Sequence, residues 1–121
     1  MSDYQKDNTA LSKSVEFAVR IVNLYKYLSV SKRETVMSKQ LLRSGTSVGA
    51  NIHEATYAQS KNDFISKMHI ALKEASETKY WLEILKKTDF LTKGEYESIL
   101  TDCVEMLKIL TAIVKSAKAN K

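Results

Sequence analysis

The sequence predicts an all-α protein, an antiparallel up-down-up-down four-helix bundle. Three observations carry this. The 121 residues include no proline and only three glycines, Gly45, Gly49 and Gly94, so the turn residues that a β sandwich or barrel needs are missing. Apolar residues recur at helical spacing in four long segments. Three of those segments open with a hydroxyl followed three residues later by an acid: Ser31 and Glu34, Ser60 and Asp63, Thr92 and Glu95. In that pattern the hydroxyl accepts from the third helical N–H while the acid reaches back, Asp63 less well than a Glu because it is shorter.

Helix 1 is expected from about residue 10 to 29, starting near Asn8 or Thr9. It carries two apolar stripes. Leu11, Val15, Ala18, Val22 and Tyr25 form a 4-3-4-3 seam, and Phe17, Ile21, Leu24 and Leu28 repeat that spacing roughly 110° away. Together they exceed what one core face requires. The first stripe is therefore expected to line the bundle, and Phe17, Ile21, Leu24 and Leu28 to form an oligomer interface.

Helix 2 is expected from about 32 to 58. Its middle is built of small residues, Ser44, Gly45, Thr46, Ser47, Gly49 and Ala50. Two interior glycines cost about 1 kcal/mol each relative to alanine, a cost most simply offset by close helix–helix approach. The spacing of Leu41, Leu42, Val48, Ile52 and Ala55 continues through this stretch, which favours one helix over a break at Gly45. Helix 3, about 61 to 88, places Phe64, Met68, Ala71, Ala75, Thr78, Leu82 and Leu85 on one seam. Helix 4, about 93 to 117, does the same with Tyr96, Ile99, Cys103, Met106, Leu110, Ile113 and Ala117. Connections this short force neighbours antiparallel, and one domain spans residues 1–121.

Composition narrows the chemistry. One cysteine, Cys103, permits no intramolecular disulfide and no Cys-based zinc site, and suits a cytoplasmic location. The N-terminal Met1–Asp7 is polar, unlike a signal peptide, and no stretch approaches the ~18 apolar residues of a membrane span. A di-iron bundle needs Glu-x-x-His pairs, but Ala50 and Ser66 stand where the Glu would precede His53 and His69. No phosphate-binding glycine loop and no nucleophile elbow occur. No metal, cofactor or enzymatic activity is expected.

Two polar groupings remain. Arg43, Ser47, Asn51 and Glu54 share one face of helix 2. With the turn near Gln59 and Ser60, Arg43 falls opposite Ser76 and Glu77, so an Arg43–Glu77 ion pair is expected. This face is either a register lock, because an unpaired buried charge is costly, or the lining of a ligand site, enzymatic in the least favoured case. The second grouping is cationic. Nineteen Lys and Arg against fourteen Asp and Glu leave +5. Lys26, Lys32, Arg33, Lys86, Lys87 and Lys93 map to one bundle end, and Lys115, Lys118 and Lys121 to the other. Several complement helix C-termini, yet repeated around an oligomer they could grip a phosphate backbone.

The run Ser38–Ala55, SKQLLRSGTSVGANIHEA, is followed by Asp63-Phe64, Ala71-Leu72-Lys73-Glu74-Ala75, Glu77-Thr78 and Tyr80-Trp81-Leu82. Together these resemble the signature of four-helix-bundle proteins encoded by intervening sequences in bacterial 23S ribosomal RNA genes. The likeness extends from about Ser14 to Lys115. His53 departs from it, since relatives often carry an acid or another polar residue there. The resemblance implies a homo-oligomeric ring, with a pentamer expected, and no catalysis. A related group of similar fold, the accessory variability proteins of diversity-generating retroelements, uses a basic ring surface to engage nucleic acid and a reverse transcriptase. The implied partners are thus RNA, DNA or a nucleoprotein; the alternative is a protein–protein interaction module whose charge serves solubility.

Overall fold

A computed structural model describes residues 9–120. Met1–Asp7, Asn8 as a candidate helix start, and Lys121 lie outside the described residues. Four helices follow one another: α1 (Thr9–Lys26), α2 (Met37–Ala55), α3 (Lys61–Lys87) and α4 (Lys93–Ala119). α1 is extended by a π-helical turn, Tyr27–Ser31. There is no strand among the described residues.

Named contacts fix the directions of the helices. Gly45 meets Ile21 while Gly49 meets Ser14, so α2 runs against α1. Arg43 pairs with Glu77 and Glu54 with Lys67, so α3 runs against α2. Lys13 pairs with Glu105 and Arg20 with Asp102, so α4 runs against α1. The result is an up-down-up-down bundle.

Helix starts separate into two kinds. Thr92 and Glu95 form a reciprocal capping box: the Thr92 hydroxyl accepts from Glu95 N–H at 3.1 Å, and Glu95 Oε1 accepts from Thr92 N–H at 2.8 Å. Ser60 accepts from Asp63 N–H, but the Asp63 carboxylate accepts from Gln59 N–H, one residue before the cap. The expected start at Ser31 is corrected. Lys32 N–H donates to Tyr27 O and Glu34 N–H to Leu28 O, so the chain as far as Arg33 closes the end of α1. Arg33 has φ 57°, the left-handed conformation that commonly ends a helix. α2 begins only at Met37, and Glu34 itself is its cap. Glu34 Oε2 accepts from Val36 and Met37 N–H, Oε1 accepts from Ser38 N–H at 2.7 Å, and Ser38 Oγ donates back to Glu34 O.

The core contains all seven residues of the expected α3 seam. On α4 it takes Ile99, Cys103, Met106, Leu110 and Ala117, with Val114 in place of Ile113. The α1 assignment is reversed. Phe17, Ile21 and Leu28 are 2%, 0% and 0% exposed within one chain, and Leu24 is half-buried against the same core. These residues are therefore the core stripe and not an oligomer interface. Val15 and Val19, from the face opposite the core, are 54% and 55% exposed.

The small middle of α2 is where the helices meet most closely. A Cβ on Gly45 would sit 2.7 Å from Ile21 Cγ2, and one on Gly49 would sit 3.0 Å from Ser14 Oγ. Alongside, two fully buried hydroxyls pair: Thr78 Oγ1 donates to Glu74 O at 2.8 Å and lies 2.9 Å from Ser44 Oγ, whose proton it can accept. Among the described residues no buried side-chain polar atom lacks a partner.

Candidate nucleic-acid interface

The six predicted cations are assembled by topology. Lys26 ends α1, Lys32 and Arg33 lie in its connection to α2, Lys86 and Lys87 end α3, and Lys93 opens α4. In this bundle those positions share one end. Lys26, Lys32, Arg33, Lys87 and Lys93 are exposed and Lys86 is half-buried. Among the described residues, ion pairs within 4 Å use Lys13, Arg20, Arg43 and Lys67 and none of these six.

Two acids at this end are held by the fold. Glu34 is buried beneath the start of α2. Burial pushes its carboxyl up, but N–H donors from Met37, Ser38 and Val36 outweigh that and hold it below the ordinary carboxylate range. Glu95 is also held low, chiefly by the Thr92 N–H, with Tyr27 and Lys32 contributing. The Lys32 ammonium stands 5.8 Å from the centre of the Tyr27 ring, within cation–π range. The opposite bundle end carries exposed Lys115 and Lys118, while Lys121 is outside the described residues.

The polar face of α2 is a row of separate contacts. Arg43 donates from Nη1 to Glu74 Oε2 at 3.1 Å and from Nη2 to Glu77 Oε2, which also accepts from Trp81 Nε1 at 2.9 Å. Ser47 Oγ donates to Arg43 O and Asn51 Nδ2 to Ser47 O, so both turn back onto their own helix. Glu54 reaches Lys67 at 3.5 Å. The Arg43 side chain is 47% exposed and lies at the bundle edge, where ion pairs are worth about 0–1 kcal/mol. The buried polar contact between α2 and α3 is Ser44–Thr78. Neither residue stands out in sequence, because Ser reads as a small spacer and Thr as one more seam position.

The other reactive groups are Cys103, His53 and His69. Burial pushes the Cys103 thiol up to about 12, so it is neutral at physiological pH. His53 and His69 are exposed, and His53 packs against the Tyr57 ring at 5.4 Å between centroids. Among the described residues no group of three or more His, Cys, Asp or Glu could hold a metal ion, and no helix is long and apolar enough to cross a membrane.

Surface grooves run along both sides of α1. One, of about 470 Å³, lies between α1 and α2 and is lined by Val15, Ala18, Val19 and Val22 together with Thr46 and Ala50. Another, of about 530 Å³, lies between α1 and α4 beside the cationic end. Arg43 lines neither.

Comparison with known proteins adds sequence and structural likeness. The family model described as 23S rRNA-intervening sequence protein matches residues 6–112. A crystal structure from Bacteroides thetaiotaomicron VPI-5482, described as a protein with unknown function from the S23 ribosomal protein family, is 61% identical in sequence. The likeness covers 91% of this chain and 98% of that one, with a TM-score of 0.89. No match is found among curated proteins.

Proposed function

We propose, from the premise that this chain belongs to the 23S rRNA-intervening sequence protein family, that it is a non-enzymatic, self-assembling bundle that binds nucleic acid through its lysine-rich end. The observation that carries this is the set of six cations at one end, none of them in an ion pair within 4 Å among the described residues. Lys32 lies over the Tyr27 ring and acts on Glu95, but exposed cations outside ion pairs are free to replace the counterions of a phosphate backbone. Of the acids at this end, Glu34 and Glu95 are engaged as helix caps, while Asp89, two residues after Lys87, is exposed.

Self-assembly is supported by the outer face of α1. Val15 and Val19 are more than half exposed, beside partly buried Ala18 and Val22. A ring of copies, a pentamer by resemblance to the family, would bring several cationic ends to one partner: RNA, DNA or a nucleoprotein in the cytoplasm. Labelled RNA and DNA titrated at rising salt test the proposal. Binding should weaken steeply, with a logarithmic slope of about −0.7 to −0.9 per phosphate contact. Absence of salt-sensitive binding at low ionic strength contradicts it.

The second reading is a protein–protein interaction module. The same valine face favours it, because apolar surface gathers protein partners without any need for charge. In that case salt leaves association nearly unchanged and the lysines serve solubility.

A further inference from the structure

The groove between α1 and α4 offers something the lysines alone do not. Its floor is apolar, with Leu24 half-buried and Ile99 buried. Tyr27 forms a wall at the cationic end. Arg20 crosses the groove from α1, donating from Nη1 to Asp102 Oδ2 at 2.6 Å and from Nη2 to Ser98 Oγ at 2.9 Å. Asn23 and Glu95 add an amide and a carboxylate. The charged groups of its lining are Arg20 and Glu95, Arg20 held by Asp102 just beyond the groove and Glu95 by the Thr92 N–H. Free cations begin at its mouth, where Lys93 directly precedes Gly94.

This arrangement suits a neutral, flat, polar group inside and an anion outside. A phosphate within would face the Glu95 carboxylate. A nucleobase instead presents ring faces to apolar and aromatic surface, with N–H donors and carbonyl acceptors for the carboxylate, amide and guanidinium. We infer that the α1/α4 groove accepts an unstacked base of single-stranded nucleic acid, with the neighbouring phosphates on Lys32 and Lys93. This rests on the proposal that the lysine-rich end binds nucleic acid, and it predicts a preference for single strands over duplex.

The structure supplies a selective test. A Cβ on Gly94 would meet nothing within 4 Å, and its φ is not positive, so Gly94→Trp can occupy the groove mouth without entering the core. Affinity is measured by fluorescence anisotropy for labelled oligo(U), oligo(dT) and a mixed-sequence duplex, each of about 15 nucleotides or base pairs. The wild type should prefer single strands. Gly94→Trp should weaken them about tenfold, the loss expected for one stacked base, and leave duplex binding and the unfolding midpoint unchanged. Tyr27→Leu should act in the same direction, and the two oligomers separate RNA from DNA. Equal binding of duplex and single strand, or no effect of Gly94→Trp, overturns the groove while leaving the lysine-rich end in place. No binding of any probe at low salt overturns both.

Discussion

At the scale of single residues, the start of α2 depends on one carboxylate. Glu34 accepts three backbone N–H groups that would otherwise be orphaned at the helix terminus. Because its folded pKa is depressed, its contribution is fully present above the ordinary carboxylate value of 4.5 and is lost as pH falls through the lower folded value. Glu34→Gln removes the charge and weakens these bonds, and should cost about 1–2 kcal/mol at pH 7. The difference from wild type, read from urea melts, should shrink as pH drops below 4.5 toward the lower folded value. Arg33 makes a complementary case. Its left-handed φ is easy only for glycine, so Arg33→Gly should leave stability equal or higher by up to about 1 kcal/mol. Nucleic-acid affinity should nevertheless fall, separating charge from fold in a single substitution. Cys103 should resist thiol reagents at pH 8 until denaturant opens the core, because burial keeps it protonated; labelling at the rate of a free thiol in native protein would contradict that placement.

At the scale of elements, α2 is shaped by contact distance. Gly45→Ala gains about 1 kcal/mol of helix propensity, but its new methyl would lie 2.7 Å from a branched side chain at the centre of the core. Overpacking of this kind costs about 1–3 kcal/mol, so the net effect should be destabilising. Gly49→Ala meets a serine hydroxyl at 3.0 Å and should cost less. Chemical denaturation midpoints of the two variants rank them, and the reverse order would show that α1 and α2 adjust more easily at Ile21 than at Ser14. The close approach is legible in the sequence, since two glycines inside a regular apolar period have few other uses. α3 is equally legible, because its seam from Phe64 to Leu85 keeps unbroken 4-3 spacing even though Ile70 and Tyr80 lie exposed on other faces. α1 is not, for a physical reason. Its valine and phenylalanine stripes are similarly apolar, and the true core row passes through Ser14, a polar residue that a count of apolar positions skips. Ser14 is tolerated there because Gly49 leaves it room and its hydroxyl donates to Leu11 O at 2.7 Å. The α2 start is hidden for a related reason. A hydroxyl three residues before an acid looks the same whether or not the preceding helix has ended, and here α1 continues through Ser31 as a π-helical turn. The cationic end was readable once four helices and short turns were known. The α1/α4 groove was not, because it depends on which side chains of two helices distant in sequence face each other.

At the scale of the whole molecule, the corrected face of α1 makes assembly testable without disturbing the fold. Val15 and Val19 project outward, so Val15→Asp with Val19→Asp should leave the monomer's core intact and place charge where a second copy would pack. Light scattering should show the wild type as a multimer and the double variant as a monomer, with nearly unchanged secondary structure. Phe17→Ala is the contrasting change: it empties a site 2% exposed in one chain and should cost about 3–5 kcal/mol. A double variant that keeps the wild-type mass would place the assembly face elsewhere, and a monomeric wild type would remove the assembly itself. The same variant also links assembly to binding. It retains all six cations of the lysine-rich end, so each protomer would keep its share of the proposed phosphate contacts. What it loses is the linkage of several ends on one strand, which alone can raise avidity by about 10²–10⁴. If the ends act together, the monomeric variant should bind long RNA far more weakly than the wild type, with a shallower salt slope, while both bind an oligomer too short to bridge two ends equally well. Equal affinity of the two proteins for long RNA would mean that each bundle binds alone and that the valine face serves a different partner.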